Sequence, residues 1–257
     1  MEKLRLFDTH THYDDRAYGK DADALIKRLL SDNVAGFMAI GCSPARNRKA
    51  LKIAQSYPGV YAAVGIHPGD VKGLPADYHV ELEETAKHEK VRAIGEIGLD
   101  YHYEGYSRER QMKVFRKQLE LARKLRLPVI VHSREAEADT MEILREYAPK
   151  GVVHCCSSGA ETVRELAGMK ILVSFTGALT FKNARRAVEA CAAAPLENLM
   201  LETDCPYMAP EPHRGKLCDS SMAWHTAAKI AEIKGISTEK VVRTCNENAK
   251  IFFGIDF

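Results

Sequence analysis

The chain has 257 residues, 46% of them hydrophobic and 28% charged, with a formal net charge of +2. That composition suits a globular protein of one large domain or two small ones. The near-neutral balance means that any contact with a polyanion must come from a local patch rather than a global field. No apolar run approaches the length of about 20 residues that crosses a bilayer. Seven scattered cysteines without a C-x-x-C pair argue against a disulfide framework or a zinc ribbon and for a reducing cytoplasm.

Met1-Glu2-Lys3 leads straight into a first strand marked by Leu4, Leu6 and Phe7, leaving no room for a leader peptide. This strand ends in Asp8-Thr-His-Thr-His12. Side chains two apart in a strand project to the same side, so His10 and His12 share a face with Asp8, a grouping that suits a divalent metal. Helical spacing of apolar residues over 21–30 follows, then a continuous apolar run over 34–41. A helix over 45–57 stops at Pro58-Gly59, and the run 60–66 ends on His67-Pro68. Residues 78–89 read as a helix, and 91–95 as a strand that ends on Glu96 and gives way to a polar loop through Asp100.

A long amphipathic helix over 108–125 leads to a strand over 128–131 that ends on His132-Ser-Arg134, then to a helix over 136–147. The strand 151–153 ends on His154, a short helix spans 162–168, and a strand spans 171–174. A helix over 183–194 precedes the strand 199–201, which runs into Glu202-Thr-Asp204. A Pro-rich loop over 205–212 then leads to a final helical region from about 221, with a C-terminal helical extension from about 235.

These eight runs are continuous rather than alternating, as expected for parallel strands buried on both faces. Helices between them make right-handed βαβ crossovers. Eight such units in one chain match an α/β fold, a single-domain (β/α)8 TIM barrel over 1–257. An open doubly wound sheet is the alternative, but no Gly-rich fingerprint follows the first strand.

In a barrel all strand C-termini meet at one rim, where active sites are built. His10, His12, Glu96, His132, His154 and Asp204 would therefore converge. Six donors exceed one tetrahedral zinc with an open position but suit two divalent ions (Mg, Mn or Zn) about 3.5–4 Å apart, with Glu96 at mid-rim as the bridge. Such a pair supplies a hydroxide from bound water near neutral pH, and Asp204 is placed to take the water's proton, so Glu96 and Asp204 are the candidate catalytic residues. For substrate, Arg134 follows a ligand directly, and His213, Arg214 and Lys216 form a basic cluster after the eighth strand; His67 is a possible donor to a phosphate or leaving oxygen. The Arg108, Arg110 and Lys113 group reads as a solvated helix face.

The ordered motifs Asp8-Thr-His-Thr-His12, Gly65-Ile-His-Pro68, Gly95-Glu-Ile-Gly-Leu-Asp100, Val131-His-Ser-Arg134 and Glu202-Thr-Asp-Cys-Pro206 resemble the TatD family of metal-dependent hydrolases, and the likeness runs to Arg214-Gly-Lys216. It implies an amidohydrolase-type barrel, the same six metal ligands, and hydrolysis of DNA phosphodiesters, often from the 3′ end. It also implies DNA ends or single strands as the partner. Two rim loops depart from the family pattern: His154-Cys-Cys-Ser-Ser-Gly159 is one residue longer than the usual His-Cys-Phe-Ser-Gly, and Leu217-Cys218-Asp219 stands where an Asn commonly follows Arg-Gly-Lys. Rival expectations are a hydrolase of a small amide, lactone or phosphoester using the same metals, and a metal-bearing binding protein without turnover.

Overall fold

Strands that are buried on both faces need apolar partners inside and outside the sheet, and the chain supplies both. The structure, a computed structural model, describes residues 3–257. The reading of Met1 and Glu2 lies outside the described residues. The strands are β1 (Leu6–Thr11), β2 (Val34–Ile40), β3 (Val60–Val64), β4 (Val91–Asp100), β5 (Val129–Arg134), β6 (Gly151–Val153), β7 (Leu172–Phe175) and β8 (Leu199–Leu201). They pair in parallel in sequence order, β1 to β8. The polypeptide after β8 returns to β1: Asp204 N–H donates to His10 O (3.0 Å) and His12 N–H to Cys205 O (2.8 Å). This is the expected TIM barrel.

The helices between strands are α1 (Ala22–Ser31), α2 (Pro44–Ser56), α3 (Tyr78–Ala86), α4 (Arg108–Leu125), α5 (Glu137–Tyr147), α6 (Ala160–Gly168) and α7 (Arg185–Ala193). After β8 come α8 (Ala223–Lys234) and α9 (Thr238–Phe253). Among the described residues no helix is long and apolar enough to cross a membrane. Successive strand residues point to opposite faces, so Leu6, Phe37, Val64, Val129 and Leu201 pack outward against the helices. Phe7, Met38, Ala63, Ile130 and Met200 instead fill the interior at the strand N-termini, where Phe252 and Phe253 of α9 join them. The C-terminal extension is thus a plug for the floor of the barrel. Asn246 of α9 fixes it, accepting from Phe7 N (3.0 Å) and donating to Arg5 O (2.8 Å).

Three local expectations need correction. The segment read as a polar loop from Glu96 to Asp100 is strand, and β4 runs ten residues. Glycine and acidic residues have low strand propensity, but glycines let β4 lie unusually close to β5. A Cβ on Gly98, whose φ is +140°, would stand 2.0 Å from His132 O. Similarly, β5 continues through His132 to Arg134, pairing Gly98 with His132 and Asp100 with Arg134. A 3-10 segment over Arg16–Asp21 precedes α1 where the sequence showed no element.

Candidate metal centre

Each residue in the rim cluster is set by a strand end. His10 belongs to the fully buried β1, and Asp8 fixes that strand to the β8 turn: its Oδ1 accepts from His10 N (3.2 Å) and Thr203 N (3.0 Å), its Oδ2 from Thr203 Oγ1 (2.6 Å). Asp8 is therefore an anchor of the frame, while its two histidine neighbours face the mouth.

Glu96 sits where the β4–β5 register breaks between Ile94 and Ile97. It is buried, and its two oxygens look to different partners. Oε2 faces His10 Nε2 (3.5 Å) and His12 Nε2 (3.8 Å). The same two nitrogens face Asp204 Oδ1, at 3.8 and 3.3 Å. Oε1 faces His132 Nδ1 (2.8 Å) and His154 Nε2 (2.7 Å). All six residues expected at the rim are brought together, in two pockets that share one carboxylate.

Outside these pockets stand two carboxylates that sequence reasoning did not assign. Asp100 Oδ2 accepts from His132 Nε2 (3.2 Å), which orients that ring with Nδ1 toward Glu96. Glu202 lies behind the first and sixth strand ends. Its Oε2 is 4.0 Å from His10 Nδ1 and its Oε1 3.8 Å from His154 Nδ1, while Oε1 also accepts from Cys155 N (2.6 Å). The rings of His10 and His154 stack at 3.9 Å and 10° across the mouth, which is why one carboxylate reaches both. The signal for both acids was their alternation with assigned residues, Asp100 four after Glu96 and Glu202 two before Asp204.

The electrostatics follow from crowding acids and imidazoles in a buried space. Burial pushes the Glu96 carboxyl up, but the surrounding imidazoles, His154 and His67 first, outweigh it and hold it well below the usual range. Burial, then the neighbouring His154, lowers His10 to about 4, so it is neutral with its lone pair available. Burial raises Glu202 to about 7. Asp204 is raised by burial and lowered further by its contact with His12, leaving it ionised.

The donor set fits divalent cations. Among the described residues the buried His10 Nε2, which faces both Glu96 and Asp204, has no hydrogen-bond partner. Orphaned buried polar atoms are costly and call for an explanation. The atoms of His10, His12 and Glu96 converge within 4.8 Å of one another, and so do those of Glu96, His132 and His154. Imidazole and carboxylate donors of this kind suit Zn, Mn or Mg.

The substrate candidates divide. His67 reaches the cluster: its Nδ1 accepts from Gly69 N (3.0 Å), which leaves the proton on Nε2, 3.7 Å from Glu96 Oε1. Desolvation lowers it to about 4, so it is a neutral donor. Among the described residues Arg134 has no carboxylate partner; its guanidinium lies over the Tyr103 ring at 5.2 Å, with Nη1 3.3 Å from Tyr103 Oη. Arg214 packs over Phe181 at 4.3 Å, and no hydrogen bond or ion pair joins it or Lys216 to the cluster. The segment after them is anchored to the residues that follow β1, through Tyr18 Oη donating to Cys218 O (2.6 Å) and Tyr13 Oη against Ser220 Oγ (2.8 Å).

Comparison with known proteins finds metal-dependent hydrolases. A family model described as "TatD related DNase" matches residues 7–254. The uncharacterized metal-dependent hydrolase YabD of Bacillus subtilis is 37% identical over 254 residues, covering 98% of this chain and all of its own. The uncharacterized metal-dependent hydrolase YcfH of Escherichia coli is 34% identical, covering 98% and 96%. Among solved structures, the TatD homologue YjjV of Escherichia coli K12 superposes with a TM-score of 0.94 at 26% identity, covering 99% of this chain and 100% of its own.

Proposed function

Since this chain belongs to the TatD family of metal-dependent hydrolases, we propose that it is a deoxyribonuclease that hydrolyses phosphodiester bonds at DNA ends, with two divalent ions at the rim. The observation that carries the reading is Glu96, whose two oxygens serve two separate sets of donors: His10, His12 and Asp204 on one side, His132 and His154 on the other. Two ions held there, Mg, Mn or Zn, would polarise a phosphoryl oxygen and bring the pKa of a water to near neutral.

The protein's own groups supply the rest. Asp204 is ionised, so a carboxylate oxygen accepts the proton of the attacking water. His67 presents a neutral Nε2–H to a phosphate oxygen, adding a donor without adding charge. Arg134, free of carboxylate partners and braced on Tyr103, offers a planar fork for a second phosphate oxygen. Asp100 orients His132 by a hydrogen bond, and Glu202 places a carboxylate behind His10 and His154. Arg214 and Lys216 make no hydrogen bond or ion pair to the cluster and are assigned no role in this step.

The test is cleavage of a 3′- or 5′-labelled oligonucleotide by protein reconstituted with Mg, Mn or Zn, alongside a panel of amides, lactones and small phosphate esters. Stepwise shortening of the oligonucleotide from one end is the expected result. Turnover of a small amide or lactone with inert DNA would overturn the assignment.

A further inference from the structure

Asp100, which orients His132, also forms part of the wall of a cavity of about 420 Å³ between the turn after β3 and the β4–α4 loop. Ser107 and Arg110 are shared with a second cavity of about 410 Å³, which continues along the first half of α4. Together they make one groove leading from the metal rim to the outer wall of the barrel.

Its charge is uneven. Lys72 and Arg110 line the first cavity, and Arg110, Lys113 and Lys117 the second. The last three follow a spacing of three and four, so they form one stripe of α4 about 10 Å long. Elsewhere on α4 Arg108 pairs with Asp139, Arg116 with Glu146 and Lys124 with Glu83, and Arg123 in the last turn is the other α4 cation without an ion pair among the described residues. No ion pair or side-chain hydrogen bond holds the four groove cations among the described residues. Facing them are Glu104, Glu109 and Asp100, and the last of these is engaged by His132.

The same groove exposes two aromatic rings at its mouth, Tyr103 (65% exposed) and Tyr106 (45% exposed). Each has one face covered, Tyr103 by Arg134 and Tyr106 by Tyr101 stacked at 4.7 Å. Unpaired cations along a channel with aromatic rings at one end form the pattern that binds single strands without reading sequence.

We propose that this groove is the track for the single-stranded DNA that trails from the scissile phosphate, with phosphates on Lys72, Arg110, Lys113 and Lys117 and bases on Tyr103 and Tyr106. The proposal rests on the nuclease assignment and adds where the rest of the substrate lies. It also replaces the loop of Arg214 and Lys216 as the principal electrostatic contact.

The experiment measures binding apart from turnover. Metal-loaded protein is titrated into a fluorescent oligothymidylate with hydrolysis-resistant phosphorothioate linkages, and anisotropy is followed at several salt concentrations. The variant is Lys72→Ala/Arg110→Ala/Lys113→Ala/Lys117→Ala, all at exposed positions, with metal content and thermal midpoint confirming an intact protein. Each lost phosphate contact removes about 0.7 from the slope of log K against log salt, so a slope smaller by about 2–3 is expected, with affinity down at least about tenfold. Tyr103→Ala lowers affinity severalfold with no change of slope. An unchanged slope in the quadruple variant, or the loss appearing instead in Arg214→Ala/Lys216→Ala, overturns the track. Wild-type protein that neither binds this strand nor cleaves its unmodified phosphodiester counterpart removes the nuclease assignment and the track together, whereas wild type that cleaves the counterpart and a quadruple variant that binds as well as wild type remove the track alone.

Discussion

Replacing Glu202 by Gln isolates the effect of a single charge that lies behind both metal pockets. Gln keeps an oxygen for Cys155 N, now held at 2.6 Å, so the local backbone bond survives. What is lost, when the titration is run above the Glu202 pKa of about 7 so that the carboxyl is ionised, is the negative charge 4.0 Å from His10 Nδ1 and 3.8 Å from His154 Nδ1. An outer-shell partner of a metal-bound histidine is worth about 10–100-fold in metal affinity, or about 1.4–2.7 kcal/mol. At these separations the contact is charge to dipole rather than a full hydrogen bond, so the lower end applies to each ion. Because one carboxylate serves a ligand of each pocket, both ions should weaken, each by about tenfold. Asp100→Asn is the matched control. Of the six rim residues its carboxylate touches only His132, at a hydrogen-bonding 3.2 Å, while its other oxygen accepts from His102 N (2.9 Å), so only the second ion should weaken, by up to about 100-fold. Calorimetric titration of metal-stripped protein with Mn or Zn resolves the two steps. Loss of a single step in Glu202→Gln, or of both in Asp100→Asn, would refute this division of labour.

Other outcomes follow from the same geometry. Asp204→Asn should lower kcat by about 10²–10⁴-fold, the usual worth of a general base, while the thermal midpoint stays near that of the wild type; activity within a few-fold of wild type would remove Asp204 from the proton transfer. Stripping the metals with a chelator should lower the thermal midpoint by roughly 5–10 °C, since an ion present at 100 times its Kd adds about 2.7 kcal/mol and each kcal/mol is worth about 2–4 °C in a chain of this size; an unmoved midpoint in calorimetry would mean that no ion had been tightly held. Gly98→Ala should destabilise by about 2–4 kcal/mol in denaturant titration, because its Cβ would meet His132 O at 2.0 Å and its φ is +140°; unchanged stability would show that β4 can part from β5 without loss. Phe252→Ala should cost about 3–5 kcal/mol by opening the floor of the barrel, and metal stoichiometry below the transition should remain that of the wild type.

The barrel and the six rim residues were legible because they depend on patterns a linear chain displays. A parallel strand covered on both sides has to be apolar throughout, so Val34–Ile40 and Val60–Val64 announce themselves without their partners. A polar residue at the end of such a run has only the rim to go to, which placed His132 and His154 correctly before any distance was known. The far half of β4 was not legible for the opposite reason. Gly95, Glu96, Gly98 and Asp100 read as loop by propensity, and only the approach of His132 and Ile130 makes those glycines a requirement of the strand.

The two supporting acids and the basic residues show a further boundary. Glu202 was visible beside Asp204, but its role depends on His10 and His154 being stacked face to face, a contact between strands one and six that no spacing along the chain encodes. The cations show it more sharply. Arg214 and Lys216 read as a phosphate clamp because they follow the last strand, and what the fold adds is that Arg214 lies over Phe181 and that neither makes a hydrogen bond or ion pair to the six rim residues. Arg110 and Lys113 looked like solvent-facing residues of a helix, and they are exposed. What distinguishes them from Arg108 is the absence of an acid opposite, since Asp139 takes Arg108 and nothing takes the other two among the described residues. A charge becomes available to a ligand when its neighbours leave it unpaired, and that property belongs to the packing of α4 against α5 and the β4–α4 loop rather than to the helix that carries the charge.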